Sequence, residues 1–112
     1  MKLQIIGDKT RVSEPLHEFV ARRLHFALGR FGPEIQRVTV RVGDVNGPRG
    51  GMDKECRVEV KLRGLDRFLS KGCGRDFESA AACAAERVGR SVARALERRR
   101  DKRRRAVAPR TR

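Results

Sequence analysis

The chain has no tryptophan and no tyrosine, and its aromatic side chains are five phenylalanines. Proteins that read single-stranded nucleic acid by stacking need exposed aromatic platforms. Phe19, Phe31, Phe68 and Phe77 fit core positions, and Phe26, off the main stripe, is expected to be partly exposed. Stacked-base readout is therefore disfavoured as the main mode. Cysteine is scarce too: Cys56, Cys73 and Cys83 are the three. An odd number without C-x-x-C spacing argues against a disulfide framework or a zinc site, so reduced filler side chains are expected. No apolar run approaches the roughly 18 residues of a membrane-spanning helix. The opening run Leu3 to Gly7 ends at Asp8 and is too short for a secretory signal, so a cytoplasmic location is expected.

Catalytic groupings are missing as well. His17 and His25 stand eight apart, about 80° apart around a helix, and do not make a metal pair. No nucleophile, base and orienting group stand out together. The glycines between residues 43 and 51 are not followed by the G-K-[ST] of a phosphate loop. The expectation is a protein that is not an enzyme, with no cofactor, no metal and no small-molecule substrate.

What the chain has in excess is positive charge. Its 112 residues carry 28 Lys+Arg against 14 Asp+Glu, for a formal net charge of +14 and a pI near 11.4. Arginines number 22 and lysines six. The guanidinium fork suits bidentate phosphate contacts better than an ammonium does. Such an excess points to a polyanion, most often nucleic acid. A membrane surface is disfavoured, because beyond Arg98 the basic stretch has few large apolar residues to insert into lipid.

One domain is expected at this length. Residues 2–7 read as a short strand with Leu3 and Ile5 on one face. Ser13 is a helix N-cap, Glu14 favours the first turn, and Pro15 is tolerated there. Leu16, Val20, Leu24, Ala27 and Phe31 mark one face of a helix of about 18 residues, stopped by Gly32-Pro33. Two strands alternate cleanly: Val38, Val40 and Val42 face inward, then Cys56, Val58, Val60 and Leu62. A glycine-rich loop from Gly43 to Asp53 joins them. Gly64 makes a turn with Leu65 and Asp66. Residues 67–73 are a fourth strand on which small Ser70 and Gly72 let a helix sit close. Asp76 caps a last helix reaching about Arg105. The fold class is α+β: a β-α-β-β-β-α two-layer sandwich, with a mostly antiparallel four-stranded sheet and both helices on one face.

The last helix carries the most information. Phe77, Ala81, Ala84, Val88, Val92 and Ala95 share a stripe roughly 80° wide. Arg87, Arg90, Arg94 and Arg98 share an adjoining flank about 80° wide. Like charges at this spacing repel, and Glu86 and Asp101 offset only part of that. On the first helix Arg23 and Arg30 share a face and Arg22 lies beside it, where Glu18 is placed to pair with it. The run from Arg98 to Arg105 reads as a basic end attracted to phosphates without specificity. Recognition of backbone and shape in folded RNA follows from arginines without aromatic platforms.

These residues together resemble the ribosome hibernation-promoting factors, the HPF/RaiA family. Leu3-x-Ile5-x-Gly7 is similar to the family's first strand. Ser13-Glu14-x-Leu16-x-x-Phe19-Val20-x-x-Arg23-Leu24-x-x-x-Leu28-x-x-Phe31 resembles its first helix. Gly74-x-Asp76-Phe77, followed by small residues and a basic ladder, resembles the start of its second. The resemblance covers about residues 1–100. It implies a domain similar to double-stranded-RNA-binding domains, bound to the small ribosomal subunit and its rRNA near the decoding region. It implies blocked mRNA and tRNA sites and idle ribosomes, as part of a bacterial stress response. Arg22, Arg23, Arg87, Arg90 and Arg94 match the family's basic helix positions. Two features depart from the family: Glu78 stands where tyrosine is frequent, and the last helix has an Ala/Cys core rather than Ile/Leu. The family's long members add a C-terminal domain that pairs ribosomes, so a short-type factor is expected, a monomer off the ribosome.

The expected layout is a ribosome-binding domain over residues 1–100 and a basic disordered tail over 101–112. The expected RNA-binding residues are Arg22, Arg23, Arg30, Arg87, Arg90, Arg94 and Arg98. A general double-stranded-RNA or nucleic-acid-binding module is the alternative, and a basic accessory protein that binds a protein partner is a third class.

Overall fold

The computed structural model describes residues 2–8, 10–45, 53–64 and 67–107. Four strands, β1 (Lys2–Asp8), β2 (Ile35–Asp44), β3 (Lys54–Leu62) and β4 (Arg67–Gly74), form one sheet in the order β1-β2-β3-β4. Helix α1 (Glu14–Leu28) connects β1 to β2, and α2 (Phe77–Val107) follows β4. β1 runs parallel to β2, as a helical crossover requires, and the other two pairings are antiparallel. The expected β-α-β-β-β-α order is the observed one.

Period-2 alternation decides which side of the sheet is covered. Val38, Val40 and Val42 of β2 and Cys56, Val58, Val60 and Leu62 of β3 are all buried. They meet Leu16, Val20, Leu24 and Leu28 of α1, together with the small-residue face of α2. Both helices therefore lie on one face.

The helix starts follow the local chemistry. Ser13 Oγ accepts from the Leu16 N–H at 3.3 Å. Asp76 Oδ1 accepts from the Ser79 N–H at 2.7 Å, and this bond holds the Asp76 carboxyl below the usual carboxylate range. A depressed carboxylate stabilises the fold above its ordinary range and loses that contribution as pH falls.

The end of α1 differs from expectation. The α-helix stops at Leu28, and Gly29–Glu34 continue as a 3-10 turn that holds Pro33 inside it. Apolar spacing alone carried the expected helix on to Phe31. A 3-10 turn keeps Phe31 near the same face while relaxing the hydrogen-bond pattern that proline breaks. Leu28, rather than Ala27, is the fully buried residue at the end of α1. Arg63, past the end of β3, pins the segment: its backbone N–H donates to the Glu34 carbonyl at 2.9 Å and its Nε to the Pro33 carbonyl at 3.1 Å.

Gly64 has φ +75°, as the expected turn requires, whereas its partners Leu65 and Asp66 lie outside the described residues. Most of the expected loop, residues 46–52, also lies outside them. α2 continues as helix through Val107, so residues 101–107 of the expected tail are helical here, and residues 108–112 are outside the described set.

Alanine dominates the buried face of α2, with Ala80, Ala81, Ala84, Ala85 and Ala95 beside Val88, Val92 and Leu96. Short side chains gain burial only if the backbones come close. Gly72 on β4 makes that possible, because a Cβ there would lie 2.6 Å from the Ala84 nitrogen and collide with the Ala80 carbonyl.

The three thiols separate by exposure. Cys56 is buried, Cys83 half-buried and Cys73 exposed. Burial pushes the Cys56 thiol up to about 12. At pH 8 about one part in 10⁴ of it is thiolate, and the thiolate is the reactive form. Maleimide labelling of the native protein should therefore modify Cys73 first. Cys56 should react only after denaturation, as read by peptide mass mapping.

Candidate nucleic-acid interface

Arg22, Arg23, Arg30, Arg87, Arg90, Arg94 and Arg98 are all exposed. The fold brings only some of them together. α1 and α2 pack side by side over the sheet, and Gly89 permits the approach: a Cβ there would stand 3.2 Å from the Ala27 carbonyl. A groove of about 500 Å³ runs between the helices, lined by Arg23, Phe26 and Arg30 on one wall and by Glu86 and Arg90 on the other, over a floor of Ala27, Ala85, Gly89 and Ala93. Three of the seven expected arginines thus face one another across a single groove. Phe26 at its rim is 87% exposed, beyond the partial exposure expected.

The remaining expected residues are placed differently. Arg22 lies outside the groove, and among the described residues it makes no ion pair with Glu18. Arg94 and Arg98 stand on the exposed crest of α2. Arg87 leans the other way, donating through Nη1 to the Lys71 carbonyl on β4 at 2.8 Å. It ties α2 to the sheet as well as carrying charge. Glu86 pairs with Arg90 at 3.0 Å, the i,i+4 arrangement expected of it. Both side chains are well exposed, so the pair contributes little and leaves Arg90 available to phosphate.

Sequence reasoning missed a second hollow. About 330 Å³ in volume, it is lined by Arg30 and Phe31, Glu34, and Leu96, Arg99, Arg100 and Arg103 of α2. The Arg30 guanidinium stacks over the Phe31 ring at 4.7 Å. Arg99 donates to the Arg63 carbonyl at 2.7 Å. The recurrence of Leu96, Arg99, Arg100 and Arg103 at i, i+3, i+4 and i+7 was the available signal, hidden because the whole stretch is basic.

Chemically the helical face offers guanidinium forks and few competing carboxylates. Among the described residues no group of three or more His, Cys, Asp or Glu is placed to hold a metal, and His17 and His25 are exposed. Among them, too, no helix is long and apolar enough to cross a membrane. The surface suits a polyanion backbone.

Known proteins share this chain's family and fold. The model of a family described as sigma 54 modulation protein / S30EA ribosomal protein matches residues 3–100. A structure described as a ribosomal subunit interface protein from Coxiella burnetii superposes with a TM-score of 0.72 at 18% identity, covering 87% of this chain and 99% of that one. The Protein Y N-terminal domain of Thermus thermophilus superposes with a TM-score of 0.65 at 20% identity, covering 84% and 98%. At these identities the likeness shows a shared fold. No curated protein matches the chain.

Proposed function

The chain belongs to the sigma 54 modulation protein / S30EA ribosomal protein family, and from that premise we propose that it is a ribosome hibernation factor that inhibits translation. It binds the small ribosomal subunit near the decoding region and blocks the mRNA and tRNA sites. The observation that carries this reading is the groove between α1 and α2, where Arg23, Arg30 and Arg90 converge over an apolar floor. Rigid helices hold three guanidinium forks around one channel, which favours backbone and shape recognition of folded rRNA. The exposed Arg94 and Arg98 extend the contact along α2. The protein acts by occupancy, without catalysis or cofactor, in the cytoplasm, and is a monomer off the ribosome.

Residues 1–100 form the binding domain in this reading, and 101–112 are a basic extension. Arg103 to Arg105 are exposed. Residues 101–107 continue α2 as helix, and this basic end carries the attraction to phosphate beyond the domain.

Sedimentation of a cell lysate through a sucrose gradient tests the function. The chain should travel with small subunits and with ribosomes lacking mRNA, and be absent from polysomes. A general duplex-RNA module would instead spread over all RNA-containing fractions. Recovery only at the top of the gradient, at low salt, would overturn both readings.

A further inference from the structure

Strand register places cations opposite one another on the face of the sheet that the helices leave open. Lys2 pairs with Arg37, Arg37 with Lys61, and Lys61 with Arg67, so one row of four cations crosses all four strands. Four residues further along β2, Arg41 pairs with Arg57 and Arg57 with Lys71, a second row of three. These rows contain five directly opposed like-charge pairs. Such pairs destabilise a sheet. A face that needed only to be wet would mix its signs, as the rest of a soluble surface does.

Relief within the face is partial. Glu59 pairs with Arg67 at 3.2 Å, and Glu55 with Arg57 at 3.1 Å and Lys71 at 3.6 Å. Lys2, Arg37 and Arg41 make no ion pair among the described residues. Between the rows lies a stripe of Gln4, Thr39, Glu59 and Leu69, whose one charge, Glu59, is paired to Arg67. Four strand residues set the two rows about 13 Å apart, and A-form RNA displays its 2′-hydroxyls in a wide, shallow minor groove.

We propose that this open sheet face is a second RNA-binding surface, one cationic row lying along each of two phosphate strands. The Gln4 and Thr39 side chains between them face the groove and its 2′-hydroxyls. The domain then grips RNA on two opposite sides, with the helices toward one segment and the sheet toward another. This inference rests on the nucleic-acid reading above, but on different residues.

The double variant R37T/R41T tests it. Neither arginine has an ion-pair partner to orphan, threonine suits a strand, and three of the five opposed pairs disappear. The melting temperature should rise by about 2–4 °C. Affinity for purified small subunits should fall about tenfold, and the slope of log K against log salt should shrink by about 1.4–1.8, for two lost contacts. A charged face with no ligand would give the rise in melting temperature alone, and unchanged affinity and slope would overturn the proposal. If R37T/R41T lost its melting transition, R37Q/R41Q would replace it with the side-chain length nearly kept.

The same titration is run on a short RNA duplex. Wild-type binding to duplex but not to subunits would sink the ribosomal reading and leave the sheet to be judged by the duplex slopes. Wild-type binding to neither would sink both.

Discussion

Gly72→Ala should melt about 10 °C below the wild type, the size expected when overpacking costs about 2 kcal/mol in a domain of this length. The methyl group would meet the Ala80 carbonyl, the Ala84 nitrogen at 2.6 Å and the Cys83 Cβ at 2.9 Å. Two of these are helix backbone, which has no rotamer to change. α2 would have to lift away from β4, and its alanines have too little reach to refill the gap. The hydrogen bond from Arg87 to the Lys71 carbonyl, across the same seam, would stretch with it. Gly29→Ala is the control, because nothing lies within 4 Å of a Cβ there and Gly29 has ordinary helical φ of −56°. It should be neutral or slightly stabilising. Thermal unfolding followed by circular dichroism compares the two. Equal melting temperatures would mean that α2 does not sit on β4 as closely as described.

That contact was half legible in the sequence. Small residues at 70 and 72 beside an alanine-rich helix suggested close approach, and Gly72 provides it. The strands were readable because every inward residue from Val38 to Val42 and from Cys56 to Leu62 is apolar and every outward one is polar or small. The end of α1 was not, because a 3-10 turn carries Phe31 on at nearly helical spacing. Partners distant in sequence were invisible for a different reason. Arg87 reaches a carbonyl 16 residues away and Arg99 one 36 residues away, and only the fold brings these together. The cationic rows of the sheet depend on register. β2 shifts against β3 between Ile35 and Arg37, and no local pattern says that Arg37 will then face Lys61. Arginine exposure could be read from periodicity, but the grouping of Arg23, Arg30 and Arg90 around one groove required the helix packing.

Arg87 changes the choice of variant for the helical face. Reversing Arg87, Arg90 and Arg94 together would remove a tie between α2 and β4, so lost binding would be confounded with a loosened helix. R90E/R94E/R98E avoids this. All three side chains are exposed, and the buried face of Val88, Val92, Ala95 and Leu96 is untouched. The new glutamates repel one another at about 0.2–0.5 kcal/mol per adjacent pair, as the replaced arginines did, and the Glu86–Arg90 pair that is lost is exposed and weak. Melting should therefore shift by only a few degrees. Binding should suffer far more, because three attractive charges become three repulsive ones. Loss of three phosphate contacts alone lowers the salt slope by about 2–3, and reversal adds to that. Co-sedimentation with small subunits should fall at least about a thousandfold in affinity, below detection in a pelleting assay. The two sides of the domain can then be separated by their stability signatures. R37T/R41T should weaken binding in part while raising the melting temperature, whereas R90E/R94E/R98E should abolish binding with little gain in stability. If the ladder variant still pelleted with subunits at wild-type levels, α2 would not face rRNA, and the open sheet face would become the principal contact.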